Sequence, residues 1–167
     1  MKKAIILAAG YGKRLRPLTE KCPKPLLKIG NQTLLSNTIN FLKQSGVTQI
    51  IINVHYLKDR IIEYINKNNF NVDIVIVEEK EKILDTGGGI LNAIKYFDQS
   101  FICINPDTIW SLNYIDAIKK LEKDFIKNKK KCCMLVVKKN KSLDQSFDGD
   151  FNLENNLINR NNKKNLN

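Results

Sequence analysis

Apolar residues along the chain cluster in two ways. Residues 4–7, 50–54, 72–77, 101–104 and 133–137 are short, nearly continuous apolar runs rich in β-branched side chains, and they read as five strands. Between them the apolar positions recur every three or four residues. Leu34, Leu35, Thr38, Ile39 and Leu42 share one helical face that ends at Gly46. Leu57, Ile61, Ile62 and Ile65 mark a second helix, Ile90, Ala93, Ile94 and Phe97 a third, and Ile115, Ile118, Leu121 and Phe125 a fourth. Strands without polar alternation are those covered on both faces. The alternating order therefore predicts a three-layer, open and mostly parallel α/β sheet joined by right-handed crossovers. After it, residues 151–153 and 157–159 around Glu154-Asn155-Asn156 predict a hairpin, and residues 160–167 a polar end.

Ligands on such sheets bind outside the carboxyl ends of the strands. Two unusual loops leave those ends, residues 8–25 after the first strand and 105–110 after the fourth, while Gly87-Gly88-Gly89 opens the third helix.

Composition changes this picture little. The 167 residues carry a formal charge of +11, and 43% are apolar, as in ordinary globular domains. The surplus suggests nucleic acid, but it comes from 24 lysines and only 4 arginines, beside 21 asparagines, and is spread along the chain. Such charge reads as solvated faces rather than a nucleic-acid site. No apolar run approaches the roughly 18 residues of a membrane span. The opening Met1-Lys2-Lys3 and its six apolar residues are too short for a signal peptide, and Cys22, Cys103, Cys132 and Cys133 lack C-x-x-C spacing for zinc. A cytoplasmic location is the expectation.

Chemistry concentrates in Leu7-Ala8-Ala9-Gly10-Tyr11-Gly12-Lys13-Arg14-Leu15-Arg16-Pro17-Leu18-Thr19. Small residues let backbone N–H groups approach a ligand and form an anion-binding nest, and Lys13, Arg14 and Arg16 add charge suited to a polyphosphate. Two familiar nucleotide loops are excluded. Gly12-Lys13 is followed by Arg14 without P-loop spacing, and Leu15 stands where a dinucleotide fingerprint needs glycine.

In Cys22-Pro23-Lys24-Pro25-Leu26, two prolines predict a stiff extended segment. Lys24 is then a second phosphate clamp or a surface lysine in a proline turn. Asp107, in Ile104-Asn105-Pro106-Asp107-Thr108, is placed either to hold Mg²⁺ or to begin a turn before a helix. His55 is the one histidine, and no nucleophile–base arrangement can be assembled around it. Transfer between ionised phosphates needs none, because positioning and charge neutralisation supply most of the catalysis.

The first-loop motif, with Pro17-Leu18-Thr19 and Pro23-Lys24-Pro25-Leu26, resembles the signature of sugar-1-phosphate nucleotidyltransferases; Asp85-Thr86-Gly87-Gly88-Gly89-Ile90 and Asn105-Pro106-Asp107-Thr108 follow in the expected order. The resemblance implies the Rossmann-like nucleotide-diphospho-sugar transferase fold. Within the family the chain is most similar to the N-acetylmuramate-1-phosphate uridylyltransferase branch of cell-wall recycling, with mannose-1-phosphate guanylyltransferase as the nearest competitor. It implies that backbone around Leu7, Ala8, Ala9 and Gly10 meets the nucleobase, and that Gly12, Lys13 and Arg14 hold the triphosphate. Lys24 would bridge the α-phosphate and the sugar phosphate, Asn105 contact the nucleotide, and Asp107 ligate Mg²⁺. Gly88 would sit beside base or ribose, and Asp150 touch the sugar. Arg14, Lys24 and Asp107 are thus the expected catalytic residues, with UTP and a sugar-1-phosphate as substrates.

Members of this family usually continue well beyond this length, and their C-terminal part supplies further sugar contacts and a second metal-binding aspartate. The expected division is a nucleotide-binding core over residues 1–148 and the start of a shortened sugar-binding part over 149–167. Apolar surface left at the sheet edge would favour a homo-oligomer. Two rivals keep other classes open: a non-catalytic nucleotide-binding subunit with the same loop, and a basic nucleic-acid-binding domain favoured by charge alone.

Overall fold

The computed structural model describes residues 1–141, 146 and 148–160. In chain order the elements are β1 (Lys3–Leu7), α1 (Leu18–Lys21), β2 (Lys28–Ile29), β3 (Gln32–Thr33), α2 (Leu34–Gln44), β4 (Gln49–Val54), α3 (Lys58–Lys67), β5 (Asp73–Glu78), α4 (Asp85–Ala93), β6 (Ile102–Ile104), α5 (Tyr114–Lys127), β7 (Phe151–Glu154) and β8 (Leu157–Arg160). The chain divides into two compact units, Met1–Lys129 and the residues from Lys130 onward.

In the first unit four parallel strands form one sheet in the order β5-β4-β1-β6. Ile5 pairs with Ile51 and Cys103, and Ile51 with Val75. Successive side chains of a strand point to opposite faces, and here both faces are apolar. Ala4, Ile6, Ile50, Ile52 and Val54 pack with Leu35, Ile39 and Leu42 of α2, Ile61 and Ile65 of α3 and Ile118 of α5. Ile5, Ile51 and Val77 pack on the other face with Ala93 and Ile90 of α4, Phe97 and Phe101. The apolar faces read from sequence are those that build the three layers. Thr33 caps α2 by accepting the Ser36 N–H at 3.0 Å, which satisfies one of the free donors at a helix start.

Three details differ from expectation. Leu57 precedes α3 in a left-handed conformation (φ 49°) instead of lying in it. The third helix ends at Ala93 and tightens into a 3₁₀ turn over Ile94–Tyr96, so Phe97 reaches the core from an extended residue. Residues 133–137, expected as a fifth strand, form none, and Met134, Leu135, Val136 and Val137 are exposed. An apolar run becomes a strand only where a neighbour completes its ladder, and among the described residues none pairs with it.

In the second unit β7 and β8 form the expected antiparallel hairpin, Glu154 opposite Leu157. Asn155 and Asn156 both have positive φ, 49° and 61°, the pairing that a two-residue turn matched to strand twist demands. Of the polar end expected over 160–167, residues 161–167 lie outside the described residues.

From β1 the chain moves first to β4 and β5 on one side and then returns to β6 on the other. The switch in direction lies between β1 and β6, and the crevice beyond their carboxyl ends is where an open α/β sheet takes its ligand.

Candidate nucleotide site

The loop leaving β1 folds back on itself through Gly12, which has φ 63° and begins a 3₁₀ turn over Lys13–Leu15. Its carbonyl accepts the Leu15 N–H at 2.9 Å and the hydroxyl of Thr19 at 2.9 Å. Thr19 is wholly buried, and the Tyr56 hydroxyl donates to its carbonyl at 2.9 Å. A Cβ on Gly12 would lie 3.0 Å from Thr19 Cγ2 and 3.2 Å from Lys24 Cβ, so both space and backbone conformation demand glycine. The basic side chains of this loop remain outside: Lys13 and Arg14 are exposed, with the Lys13 ammonium 5.2 Å from the centroid of the Tyr11 ring. Ala8 and Ala9 are buried, and Gly10 is exposed with open space where a Cβ would stand.

Lys24 does not lie in the extended segment expected of its two prolines. Pro23 is extended, but Lys24–Leu26 form a 3₁₀ turn in which the Leu26 N–H reaches the Pro23 carbonyl at 2.8 Å. Pro25 fits there because the first positions of a helical turn need no N–H and its fixed φ suits them. The turn aims the lysine at the loop after β6, and its Nζ stands 2.7 Å from Oδ2 of Asp107. The two side chains keep 32% and 42% of their accessible surface, so the pair opens to solvent.

The Asp107 loop is anchored from behind. Asn37 on α2 accepts the Trp110 N–H at 2.8 Å and donates to the Trp110 carbonyl at 3.0 Å. The Trp110 ring stacks on Phe41 with centroids 4.9 Å apart. Pro106 is buried, while Asn105 and Asp107 on either side of it are exposed at the end of β6.

A second anchor joins the neighbouring loops. Asn53, at the end of β4, accepts the Ala8 N–H at 2.8 Å and donates to Glu79 Oε1 at 2.7 Å. The other oxygen of Glu79 accepts the Leu84 N–H at 2.8 Å, at the start of α4. His55 Nδ1 donates to the Glu79 carbonyl, which fixes that ring locally. Beside it Lys58 pairs with Glu78; this hydrogen bond holds the Glu78 carboxyl below the usual carboxylate range and raises Lys58.

The structure thus brings together Gly12, Lys24 and Asp107; Leu7, Ala8, Ala9 and Gly10 lead from the end of β1 toward Gly12, Asn105 follows β6, and the exposed Lys13 and Arg14 lie in the turn after Gly12. Gly88 lies in α4, where a Cβ would press on Leu84 Cβ at 2.8 Å, so its smallness is already used by the chain's own packing. Asp150 belongs to the second unit. An open crevice of 440 Å³ along β5 is lined by Glu78, Lys80, Leu84 and Lys95 among others, and by no residue of the first loop. Sequence reasoning missed Asn37, Asn53, Glu79 and Trp110. Asn53 alone had a signal, a polar residue inside the apolar run of a buried strand.

A sequence model of the nucleotidyl transferase family matches residues 3–147. The chain is 36% identical over 119 residues to N-acetylmuramate alpha-1-phosphate uridylyltransferase of Neisseria meningitidis, covering 70% of this chain and 52% of that protein. It is 38% identical over 112 residues to mannose-1-phosphate guanyltransferase of Aspergillus oryzae, covering 64% and 30%. Among solved structures, HddC from Yersinia pseudotuberculosis complexed with GMP-PN superposes with a TM-score of 0.63 and 37% identity, covering 72% of this chain and 54% of that one. The chain therefore spans about half the length of the uridylyltransferase and of HddC. Matching motif, fold and family model agree: the chain belongs to the nucleotidyl transferase family, the family of enzymes that its first loop resembles.

Proposed function

We propose that this chain binds a magnesium–nucleoside triphosphate between the carboxyl ends of β1 and β6 and serves transfer of the nucleotidyl group to a sugar-1-phosphate. The observation that carries the reading is the convergence of Lys24 and Asp107 beside the Gly12 turn. UTP with N-acetylmuramate 1-phosphate is the first pair to test, and the match to the Neisseria relative supports it as far as the match to the Aspergillus relative supports the second, GTP with mannose 1-phosphate.

The residues fit a magnesium ion. It keeps several waters and takes one or two carboxylates together with substrate phosphates, and no dedicated cage of side chains is required. Asp107, an exposed carboxylate at a strand end, would hold it, and the ion would neutralise charge on the phosphates.

The chain's own groups have the remaining tasks. The nest around Gly12, with Lys13 and Arg14, holds the β- and γ-phosphates. Lys24 stands where its ammonium neutralises both the α-phosphate and the incoming sugar phosphate, so that two anions meet. An oxygen of the sugar phosphate attacks the α-phosphorus in line, the new P–O bond forms, and pyrophosphate leaves with the electron pair of the broken bond. In this reading residues 1–148 serve as the nucleotide-binding core, and residues 149–167, with Asp150 among them, serve sugar binding. The setting is the cytoplasm, and no helix among the described residues is long and apolar enough to cross a membrane.

Titration of Arg14→Ala, Lys24→Ala and Asp107→Ala variants with the four nucleoside triphosphates in Mg²⁺ tests the site. Weaker binding is expected in each, and unchanged binding in all three overturns the assignment. Pyrophosphate release with a panel of sugar-1-phosphates then separates the uridylyl from the guanylyl reading. Binding without release marks a nucleotide-binding subunit.

A further inference from the structure

Four hydrogen-bonding groups from three separate stretches of the chain form one line, buried from Ala8 to Glu79 and part-buried at its Leu84 end. It runs from the Ala8 N–H to Asn53, from Asn53 to Glu79, and from Glu79 to the Leu84 N–H, with no link longer than 2.8 Å. Asn53 and Glu79 are each only 2% exposed. The line ties the loop after β1 to the start of α4 through the ends of β4 and β5.

Its construction constrains other positions. A Cβ on Gly89 would lie 2.6 Å from Asn53 Nδ2 and 2.8 Å from Glu79 Oε1, so glycine is required there for the amide and carboxylate to meet. A buried carboxylate is costly to desolvate and brings little net stability compared with an apolar replacement. Its best-attested use is to fix one arrangement of the parts that it joins. Here the parts are the backbone of residues 8–10 and the first turn of α4, from its cap Leu84 to Gly88. A loop and a helix start that moved independently would leave the gap between them undefined.

We infer that Asn53 and Glu79 are positioning residues for the nucleoside half of the nucleotide: they set the width of the gap between residues 8–10 and residues 84–88, in which base and ribose are held. This rests on the proposed nucleotide site. It assigns the line no contact with the triphosphate, whose cradle at Gly12 is braced by the Thr19 hydroxyl and, through the Thr19 carbonyl, by the Tyr56 hydroxyl, while the Tyr56 N–H also reaches the Ala9 carbonyl at 3.4 Å.

The donor–acceptor order of the line supplies the test. In Glu79→Gln, the new amide must present an N–H to either the Asn53 amide or the Leu84 N–H, both of which are donors. In Asn53→Asp, two carboxylates face each other in a buried place. In the double variant Asn53→Asp/Glu79→Gln every link is remade with one polarity reversed: Ala8 N–H to Asp, Gln N–H to Asp, and Leu84 N–H to the Gln oxygen. Calorimetric titrations in Mg²⁺ would compare UTP, GTP and inorganic tripolyphosphate on the full 167-residue chain.

Each single variant is expected to lose about tenfold in affinity for the nucleotide that the wild type prefers, the cost of a frustrated buried hydrogen bond. Tripolyphosphate binding should stay within about twofold of wild type, and the double variant should regain nucleotide affinity, because its links are restored. A merely structural role would move nucleotide and tripolyphosphate together, and that result overturns the inference. Single variants that bind nucleotide as the wild type does also overturn it. If the single variants do not fold, the double variant decides: folding with wild-type nucleotide affinity supports the inference, and failure of either overturns it. A wild-type chain that binds neither UTP nor GTP overturns the nucleotide site itself, and this inference with it.

Discussion

The Lys24 ammonium and the Asp107 carboxylate meet at 2.7 Å across 83 positions of sequence, joining the loop after β1 to the loop after β6. Both side chains are part-exposed, and an ion pair of that kind adds at most about 1 kcal/mol to stability. Lys24→Ala and Asp107→Ala should therefore melt within a few degrees of the wild type. Their effects on binding should differ in kind. Asp107→Ala is expected to flatten the magnesium dependence of nucleotide affinity, whereas Lys24→Ala weakens affinity while leaving that dependence in place. Titrations at several Mg²⁺ concentrations, with melting curves alongside, check both. Large losses of melting temperature with unchanged binding would make the pair a brace instead.

Gly10 and Gly12 stand two residues apart in one loop and should respond oppositely to a methyl group. At Gly12, with φ 63° and Thr19 Cγ2 only 3.0 Å from the would-be Cβ, alanine should cost about 1–3 kcal/mol of stability. At Gly10 nothing lies within 4 Å and φ is not positive, so Gly10→Ala should leave stability within about 0.5 kcal/mol. Crowding of a closely held nucleotide by the same methyl should nevertheless weaken binding at least about fivefold. Urea denaturation and calorimetry on the two variants separate the effects. A Gly10→Ala chain that binds normally would show that the ligand does not approach this stretch of backbone.

How much of this was legible in the sequence follows from the range of the forces involved. The four strands of the sheet announce themselves as short continuous apolar runs because both their faces are buried, and the four long helices because burial on one face imposes a local period; Leu35, Ile39 and Leu42 are fully buried as that period requires. The first loop was legible because glycine and proline restrict backbone locally. The run at residues 133–137 misled because strand formation depends on a partner that no local pattern reveals. Lys24 misled for the opposite reason: Pro25 is compatible with an extended segment and with the first turn of a helix, and the choice falls to longer-range packing. Asn37 with Trp110, 73 positions apart, and Asn53 with Glu79, 26 apart, are matches of donor to acceptor that only the folded chain brings together.

The Asn37–Trp110 clasp offers a spectroscopic handle on the Asp107 loop, since Trp110 is the one tryptophan. Asn37→Ala removes an acceptor and a donor from the Trp110 backbone in a part-buried place, which should cost about 1–3 kcal/mol. With the backbone released, the ring should spend less time stacked on Phe41 and its emission should shift to the red. Magnesium-dependent nucleotide affinity should fall as Asp107 loses its fixed place. Fluorescence and titration on one sample test the coupling. A red shift without loss of affinity would show that the clasp serves the core and not the carboxylate.

Exposed ion pairs give the protein a predictable acid limit. Hydrogen bonds from Lys58, Lys67 and Lys3 hold the carboxyls of Glu78, Glu63 and Asp98 below their ordinary values. A carboxyl whose value is lower in the folded than in the unfolded chain contributes stability above its unfolded value, and that contribution is lost as pH falls through the folded one. Lys58 is raised above 10.5, so its contribution is present below that pH and is lost as pH rises through its folded value. Together these shifts predict a melting temperature that is flat from about pH 5 to about pH 10 and declines outside that window. Glu63, Lys67 and Asp98 are exposed, and Lys58 and Glu78 each keep about a third of their accessible surface, so the acid decline should shrink in about 1 M salt, where the screening length falls to roughly 3 Å. Lys58→Met should reduce the decline near pH 4 in low salt, because Glu78 then titrates close to its unfolded value. Melting curves across pH at two salt concentrations check this, and an acid decline unchanged by both salt and the substitution would locate its cause in buried groups instead.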